Sequence, residues 1–188
     1  MKILGVNGSP RRKGNAEVLV KTVLEEAACH GAETDYIFVD TLDFHGCKGC
    51  LWCQQDGRGL CVQKDEMTAL YHKIASSDAI VIASPIYFSG ITAQLKTFID
   101  RLYPFYGRGG NPSRLPRKIK LAMIVTQGQP DPNKYAQSIE IVADSLRLIG
   151  FNVLNDIFVA PNLPDKGDVL KNPTYIEQAK LLGKLLLA

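Results

Sequence analysis

Apolar positions along the chain fall into two alternating patterns. Short continuous runs at Ile3-Leu4-Gly5-Val6, Tyr36-Ile37-Phe38-Val39, Ala79-Ile80-Val81-Ile82-Ala83, Leu121-Ala122-Met123-Ile124-Val125 and Val153 to Val159 predict five strands. The run at 79–83 is apolar at every position, as a strand covered on both faces of a parallel sheet requires. Between the runs, apolar residues recur at helical spacing. Gly14-Asn15 opens a first helix reaching about His30, and Met67, Leu70, Tyr71 and Ile74 mark a second. Ile91, Leu95, Phe98 and Leu102 mark a third. Asp131-Pro132 reads as the start of a fourth, with Tyr135, Ile139, Val142, Leu146 and Ile149 on one stripe and Gly150 as its stop. Asn172-Pro173 starts a last helix through Ile176, Ala179, Leu182 and Leu186.

Strand–helix alternation implies parallel pairing through right-handed crossovers, with helices on both faces of one sheet. Five strands favour the flavodoxin-like order 2-1-3-4-5, an α/β doubly wound fold filling residues 1–188 as one domain. Such sheets bind ligands outside the carboxyl ends of their strands. That rule selects the loops Gly8 to Asn15, Ser84 to Gly90 and Thr126 to Asp131. Two other connections, 40–64 and 103–117, reach or exceed the roughly 12–15 residues beyond which a bare loop is unusual.

Composition sharpens this picture in two places. The 188 residues, 46% hydrophobic and 22% charged, exclude a disordered or collagen-like chain. The net charge of +3 is too small to imply nucleic acid, and no apolar run approaches the roughly 18 residues of a membrane span. Arg101, Arg108, Arg114, Arg117, Lys118 and Lys120 form a basic stretch without an acid, read as a solvated rim or an anion- or partner-facing patch. The odd count of five cysteines argues against a disulfide framework, and the first apolar stretch is too short for a signal peptide. The expected setting is the reducing cytoplasm, where clustered thiols bind metal or do redox chemistry.

The loop Asn7-Gly8-Ser9-Pro10-Arg11-Arg12-Lys13-Gly14-Asn15 joins the first strand to the first helix. Its small residues allow close backbone approach, and the helix dipole favours an anion. Ser9 and Asn15 offer hydrogen bonds, while Arg11, Arg12 or Lys13 supplies charge. The segment fits neither G-x-x-x-x-G-K-S/T nor G-x-G-x-x-G. Tyr87 and Phe88, at a strand's carboxyl end between Pro85 and Gly90, suit a ligand wall.

Together with Ala83-Ser84-Pro85-Ile86-Tyr87-Phe88-Ser89-Gly90 and Gln94-Leu95-Lys96-Thr97-Phe98-Ile99-Asp100-Arg101, the Gly8 to Asn15 loop resembles the NADPH-dependent FMN reductase family, which includes the iron–sulfur flavoproteins. The resemblance implies non-covalently bound FMN. Ser9, Arg11, Asn15 and Ala16, supported by Arg12 and Gly14, would hold the phosphate. Pro85, Ile86, Tyr87 and Phe88, followed by Ser89 and Gly90, would line the isoalloxazine and phosphate edge. Thr126, Gln127 and Gly128 would face the pyrimidine side. The position after Asn15 usually carries a hydroxyl in this family and is Ala16 here, so that hydrogen bond is absent or comes from the backbone.

Cys47, Cys50, Cys53 and Cys61 follow C-x2-C-x2-C-x7-C. Successive x2 spacings resemble the runs that wrap iron–sulfur clusters, whereas zinc sites more often use separated knuckles. Three outcomes stay open at this point: a 4Fe–4S cluster, zinc, or free oxidisable thiols. No acid–base dyad is visible among His30, His45 and His72, so the chemistry is expected to be flavin-centred. Two roles follow. One is an NAD(P)H-dependent reductase of a flavin, quinone or similar acceptor; the other is an electron carrier between ferredoxin-like proteins. The resemblance further implies a homodimer or homotetramer.

Overall fold

The computed structural model describes residues 1–55 and 59–188; residues 56–58 of the 40–64 loop lie outside the described set. Strand β1 (Lys2–Asn7) runs parallel to β2 (Glu33–Phe38) on one side and to β3 (Ala79–Tyr87) on the other, and β5 (Lys120–Thr126) continues the parallel sheet beyond β3. Between β3 and β5 lies the two-residue β4 (Gly90–Ile91), which folds back antiparallel on β3. Helices α1 (Asn15–Cys29), α2 (Met67–Ser76), α3 (Ala93–Asp100), α4 (Ala136–Ile149) and α5 (Pro173–Leu187) complete the layers.

Side-chain alternation along the strands decides which helices cover which face. Ile3, Ala79, Val81, Ala83, Ala122 and Ile124 point to one side and meet α1 and α5. Leu4, Val6, Ile80, Ile82, Leu121, Met123 and Val125 point to the other and meet α2, α3 and α4. Both layers are dry, so the central strands need no polar face. Gly5 allows α1 to lie close on β1, because a Cβ there would sit 2.6 Å from Leu24 Cδ1.

The expected order holds in outline, and the fifth position differs. In place of one strand from 153 to 159, β6 (Asn152–Val153) and β7 (Phe158–Ala160) pair with opposite ends of β5. Leu154 still donates to the Leu121 carbonyl, but the exposed Asn155-Asp156 bend then breaks the ladder, as turn-forming residues do. With β4 the described sheet has seven strand segments rather than five. α4 also starts later than Asp131-Pro132 suggests. Asp131 closes its own turn, accepting from Asn133 N at 2.9 Å through its side chain, and the helix begins at Ala136. Gly150 ends it at φ 116°, as expected.

β3 outruns its apolar core and turns through Phe88 and Ser89, at φ 45° and 67°, into β4. Both central residues of this two-residue hairpin are left-handed, a pattern that ordinarily selects Asn-Gly. Phe88 is fully exposed at the tip. No helix among the described residues is long and apolar enough to cross a membrane.

Candidate functional site

The carboxyl ends of β1, β3 and β5 meet at a cleft, and Gly8, just past β1, ties β1 to β3 and α3. Its N–H donates to the Ala83 carbonyl at 2.8 Å, and its own carbonyl accepts from the Thr92 hydroxyl at 2.6 Å. Thr92 also caps α3 by accepting from Leu95 N. The loop that follows is wound tight by its own side chains. Ser9 N donates to Asn7 Oδ1, Arg11 N donates to Ser9 Oγ, and Gly14 N donates to the Arg11 carbonyl. Gly14 N-caps α1 without a side chain, so the first-turn N–H groups and the helix dipole remain available to an anion.

Glu17 beside this loop accepts from Lys13 N and pairs with Lys21. Burial alone would raise its pKa, but hydrogen bonds from Lys21 and the Lys13 backbone, with the charges of Lys21 and Arg12, hold it below the ordinary value. The Lys13 N–H is thus committed to Glu17 and is not offered to a ligand.

Ser9, Arg11, Asn15, Ala16, Pro85, Ile86, Tyr87, Thr126, Gln127 and Gly128 all line this one cleft, drawn from three separate loops. Arg12, Gly14, Phe88, Ser89 and Gly90 do not line it. Arg12 lies over the Phe38 ring at 5.1 Å, and 88–90 form the hairpin tip. Asn15 is spent on structure. Its Nδ2 donates to the carbonyls of Asp165 (2.8 Å) and Leu163, and its Oδ1 accepts from Gly167 N and Val169 N.

Asn15 thereby anchors a fourth loop that sequence reasoning did not select. Leu163, Pro164 and Lys166 line the cleft from it, and the Arg11 guanidinium reaches the Pro164 carbonyl at 3.4 Å. The Pro161-Asn162-Leu163-Pro164-Asp165-Lys166-Gly167 segment, rich in turn formers just past the last strand, was the available signal.

Gln127 lines the cleft from the loop after β5. Its Nε2 donates to the Asp131 carbonyl at 2.6 Å and to Gln129, while its buried Oε1 has no partner among the described residues. A buried acceptor left open in this way suits a ligand N–H. The cleft thus gathers a hydroxyl, a cation, a helix terminus, an aromatic side chain and an amide acceptor. This arrangement suits a molecule with a phosphate, a flat ring and a polar ring edge, and the residues present fit FMN.

The cysteine loop forms a second cavity. Cys47 and Cys50 are exposed, Cys61 is half-buried and Cys53 is buried; all four are free thiols and line the same small hollow. Left-handed residues on both sides of Cys50, Gly49 (φ 64°) and Leu51 (φ 58°), curl the chain around it. Burial, with the neighbouring Cys61 and Cys47, pushes the Cys53 thiol pKa up. Among the described residues no three His, Cys, Asp or Glu side chains are gathered to hold a metal ion. One zinc ion would draw its sulfurs to about 3.8 Å from one another. Four soft sulfur donors around one hollow nonetheless match the donor set of an iron–sulfur cluster.

The basic stretch is broken up by the fold. Arg101 is buried at 1% exposure and ion-paired to Asp65, Arg114 donates to the Cys53 carbonyl, and Arg117 pairs with Asp78. Thr92 and Arg101 cap the two ends of α3, an 8-residue helix about 12 Å long. The cysteine cavity therefore borders the carboxyl end of α3, whose amino end is tied through Thr92 to Gly8, next to the cleft-lining Ser9.

The family model for NADPH-dependent FMN reductase matches residues 1–162. An "Iron-sulfur flavoprotein" of Methanosarcina thermophila is 39% identical over 189 residues, covering 99% of this chain and 95% of that protein. Another of that name, from Archaeoglobus fulgidus, is 36% identical over 72% of this chain, and the aligned part spans only 59% of that longer protein. Among solved structures, the "NAD(P)H:quinone oxidoreductase from Methanothermobacter marburgensis" superposes with TM-score 0.79 at 16% identity, covering 100% of this chain and 98% of that one. At that identity the likeness speaks to the fold alone. The family model, covering the loops after β1, β3 and β5 that line the cleft, shows that the chain belongs to the NADPH-dependent FMN reductase family.

Proposed function

We propose that this chain is an FMN-dependent oxidoreductase that takes electrons from NAD(P)H and passes them to a flavin, quinone or similar small acceptor. The observation that carries the reading is the cleft, which joins the Ser9–Arg11 loop at the start of α1 with the unpartnered Gln127 Oε1. FMN, when bound, supplies hydride and single-electron chemistry. The Ser9 hydroxyl, Arg11 and Lys166 would hold its phosphate, with Ala16 contributing only its backbone N–H. Pro85, Ile86 and Tyr87 would wall the ring and exclude water, and Gln127 and Gly128 would fix its polar edge. Assembly as a homodimer or homotetramer belongs to the proposal; its support is Phe88, a fully exposed ring beside the cleft.

A second reading, an electron carrier with a 4Fe–4S cluster on Cys47, Cys50, Cys53 and Cys61, is supported by the shared cavity of the four thiols. The Methanosarcina relative's name supports it as well. Steady-state NAD(P)H oxidation by the FMN-loaded chain, with quinone or free flavin as acceptor, separates the two. Sustained turnover supports the reductase. Reduction only by a low-potential protein donor supports the carrier.

The phosphate assignment has its own test. A charge-assisted hydrogen bond is worth about 1.5–3 kcal/mol, so Arg11→Glu weakens FMN binding by roughly 10- to 100-fold. Riboflavin, which lacks the phosphate, binds the variant and the parent alike. Fluorescence titration with both flavins reads the difference, and an equal loss for both would place Arg11 away from the phosphate.

A further inference from the structure

Arg101 does more than fill space behind α3. One guanidinium reaches two points far apart in sequence. Nη1 donates to the His45 carbonyl at 2.6 Å and to Asp65 Oδ2 at 2.6 Å, and Nη2 donates to Asp65 Oδ1 at 2.9 Å. His45 stands just before Cys47, and Asp65 just after Cys61. Both feet of the cysteine-bearing segment are therefore pinned to a single side chain with 1% exposure.

Arg101 also lines the hollow with Cys47, Cys50, Cys53 and Cys61. Its Nε is buried and has no hydrogen-bond partner among the described residues. An unpaired charged donor of this kind is costly to keep. Two amides stand beside the sulfurs as well. Gln63 Nε2 lies 3.9 Å from Cys61 Sγ while donating to the Gly46 carbonyl at 3.2 Å. Gln54 Nε2 lies 3.9 Å from Cys53 Sγ while donating to the Tyr103 carbonyl at 2.8 Å. Arg101 thus lines the hollow with the four thiols, and one amide stands beside each of Cys53 and Cys61.

We propose that Arg101 is a positioning residue for an iron–sulfur cluster on Cys47, Cys50, Cys53 and Cys61, pinning both ends of their loop, while Gln63 sets an N–H donor against the Cys61 sulfur. The inference rests on the electron-carrier reading of the cysteine loop. A cluster on four thiolates gains negative charge when it accepts an electron. N–H donors to the sulfurs stabilise that reduced form and raise the potential.

The test uses the full chain purified anaerobically, with iron, sulfide and FMN counted per chain and the cluster potential read by spectroscopic titration with a chemical reductant. Arg101→Gln is expected to lose at least half of its iron and sulfide while keeping its FMN, and Arg101→Lys to recover part of the loss. Gln63→Leu, at a half-buried position that tolerates change, is expected to keep its iron but titrate at a more negative cluster potential with the flavin potential unmoved. Should Arg101→Gln fail to fold, Gln63→Leu decides alone. Full iron in Arg101→Gln, or an unmoved cluster potential in Gln63→Leu, overturns the proposal. A parent chain that binds no iron removes the cluster reading itself and the inference with it, an outcome distinct from an iron-loaded parent whose variants are unchanged.

Discussion

Asp65→Ala is expected to lower the free energy of unfolding by about 3–5 kcal/mol, the usual cost of stranding one partner of a buried ion pair. The Arg101 guanidinium has no solvent contact, and Asp65 is its bidentate partner, so nothing else among the described residues takes over both bonds. Denaturant unfolding followed by circular dichroism measures the loss; a change below about 1 kcal/mol would mean that water reaches the guanidinium. The same pair gives a pH signature. Burial pushes the Asp65 pKa up, but the hydrogen bonds and charge of Arg101 outweigh it and hold the carboxyl below its ordinary value. A depressed folded-state pKa contributes stability that is present above the unfolded value of about 4 and fades as pH falls through the folded one. Asp65→Asn should therefore flatten the acid side of the stability profile relative to the parent.

Gly8→Val carries the second large effect, on both stability and flavin binding. A Cβ at this position would fall 2.5 Å from Leu95 Cβ and 3.2 Å from the Ala83 carbonyl oxygen. Neither atom belongs to a flexible side-chain end, so the loop or α3 must move. Overpacking of this kind costs about 1–3 kcal/mol, and the displaced loop carries Ser9 and Arg11 with it. The expected result is a lower unfolding midpoint and little FMN retained after gel filtration. Gly90→Ala is the control, since a Cβ there meets nothing within 4 Å. Equal FMN content in Gly8→Val and Gly90→Ala would show that the close approach at Gly8 does not matter to the site.

Much of the architecture was legible because it follows from periodicity. The dry strand at 79–83 and the helix stripe on 67–74 bury the residues their spacing selects, and the stripe on 139–149 buries Ile139, Leu146 and Ile149 with Val142 partly covered. Elements set by tertiary pairing were not legible. The break at Asn155-Asp156 depends on how β5 is shared between two short strands, and β4 exists only because β3 runs on to Tyr87. The site shows the same division. Loops after the first, third and fourth strands were found from topology, whereas Lys166 and Pro164 reach the cleft through hydrogen bonds from Asn15 across some 150 residues of chain. Asn15 looked like a ligand donor because an exposed loop amide usually is one, and its actual partners are backbone groups that no local pattern could reveal. Arg101 counted toward a surface patch for a similar reason. Its charge is visible in sequence, but its burial against Asp65 is not.

The most direct test of the account is titration of the flavin-free chain with FMN under anaerobic conditions, followed by NADPH or NADH. The account predicts saturation at one FMN per chain, affinity at least tenfold above that for riboflavin, and bleaching of the visible flavin band once the nicotinamide is added. FMN that binds no better than riboflavin, or a bound flavin that neither nucleotide reduces, would contradict it.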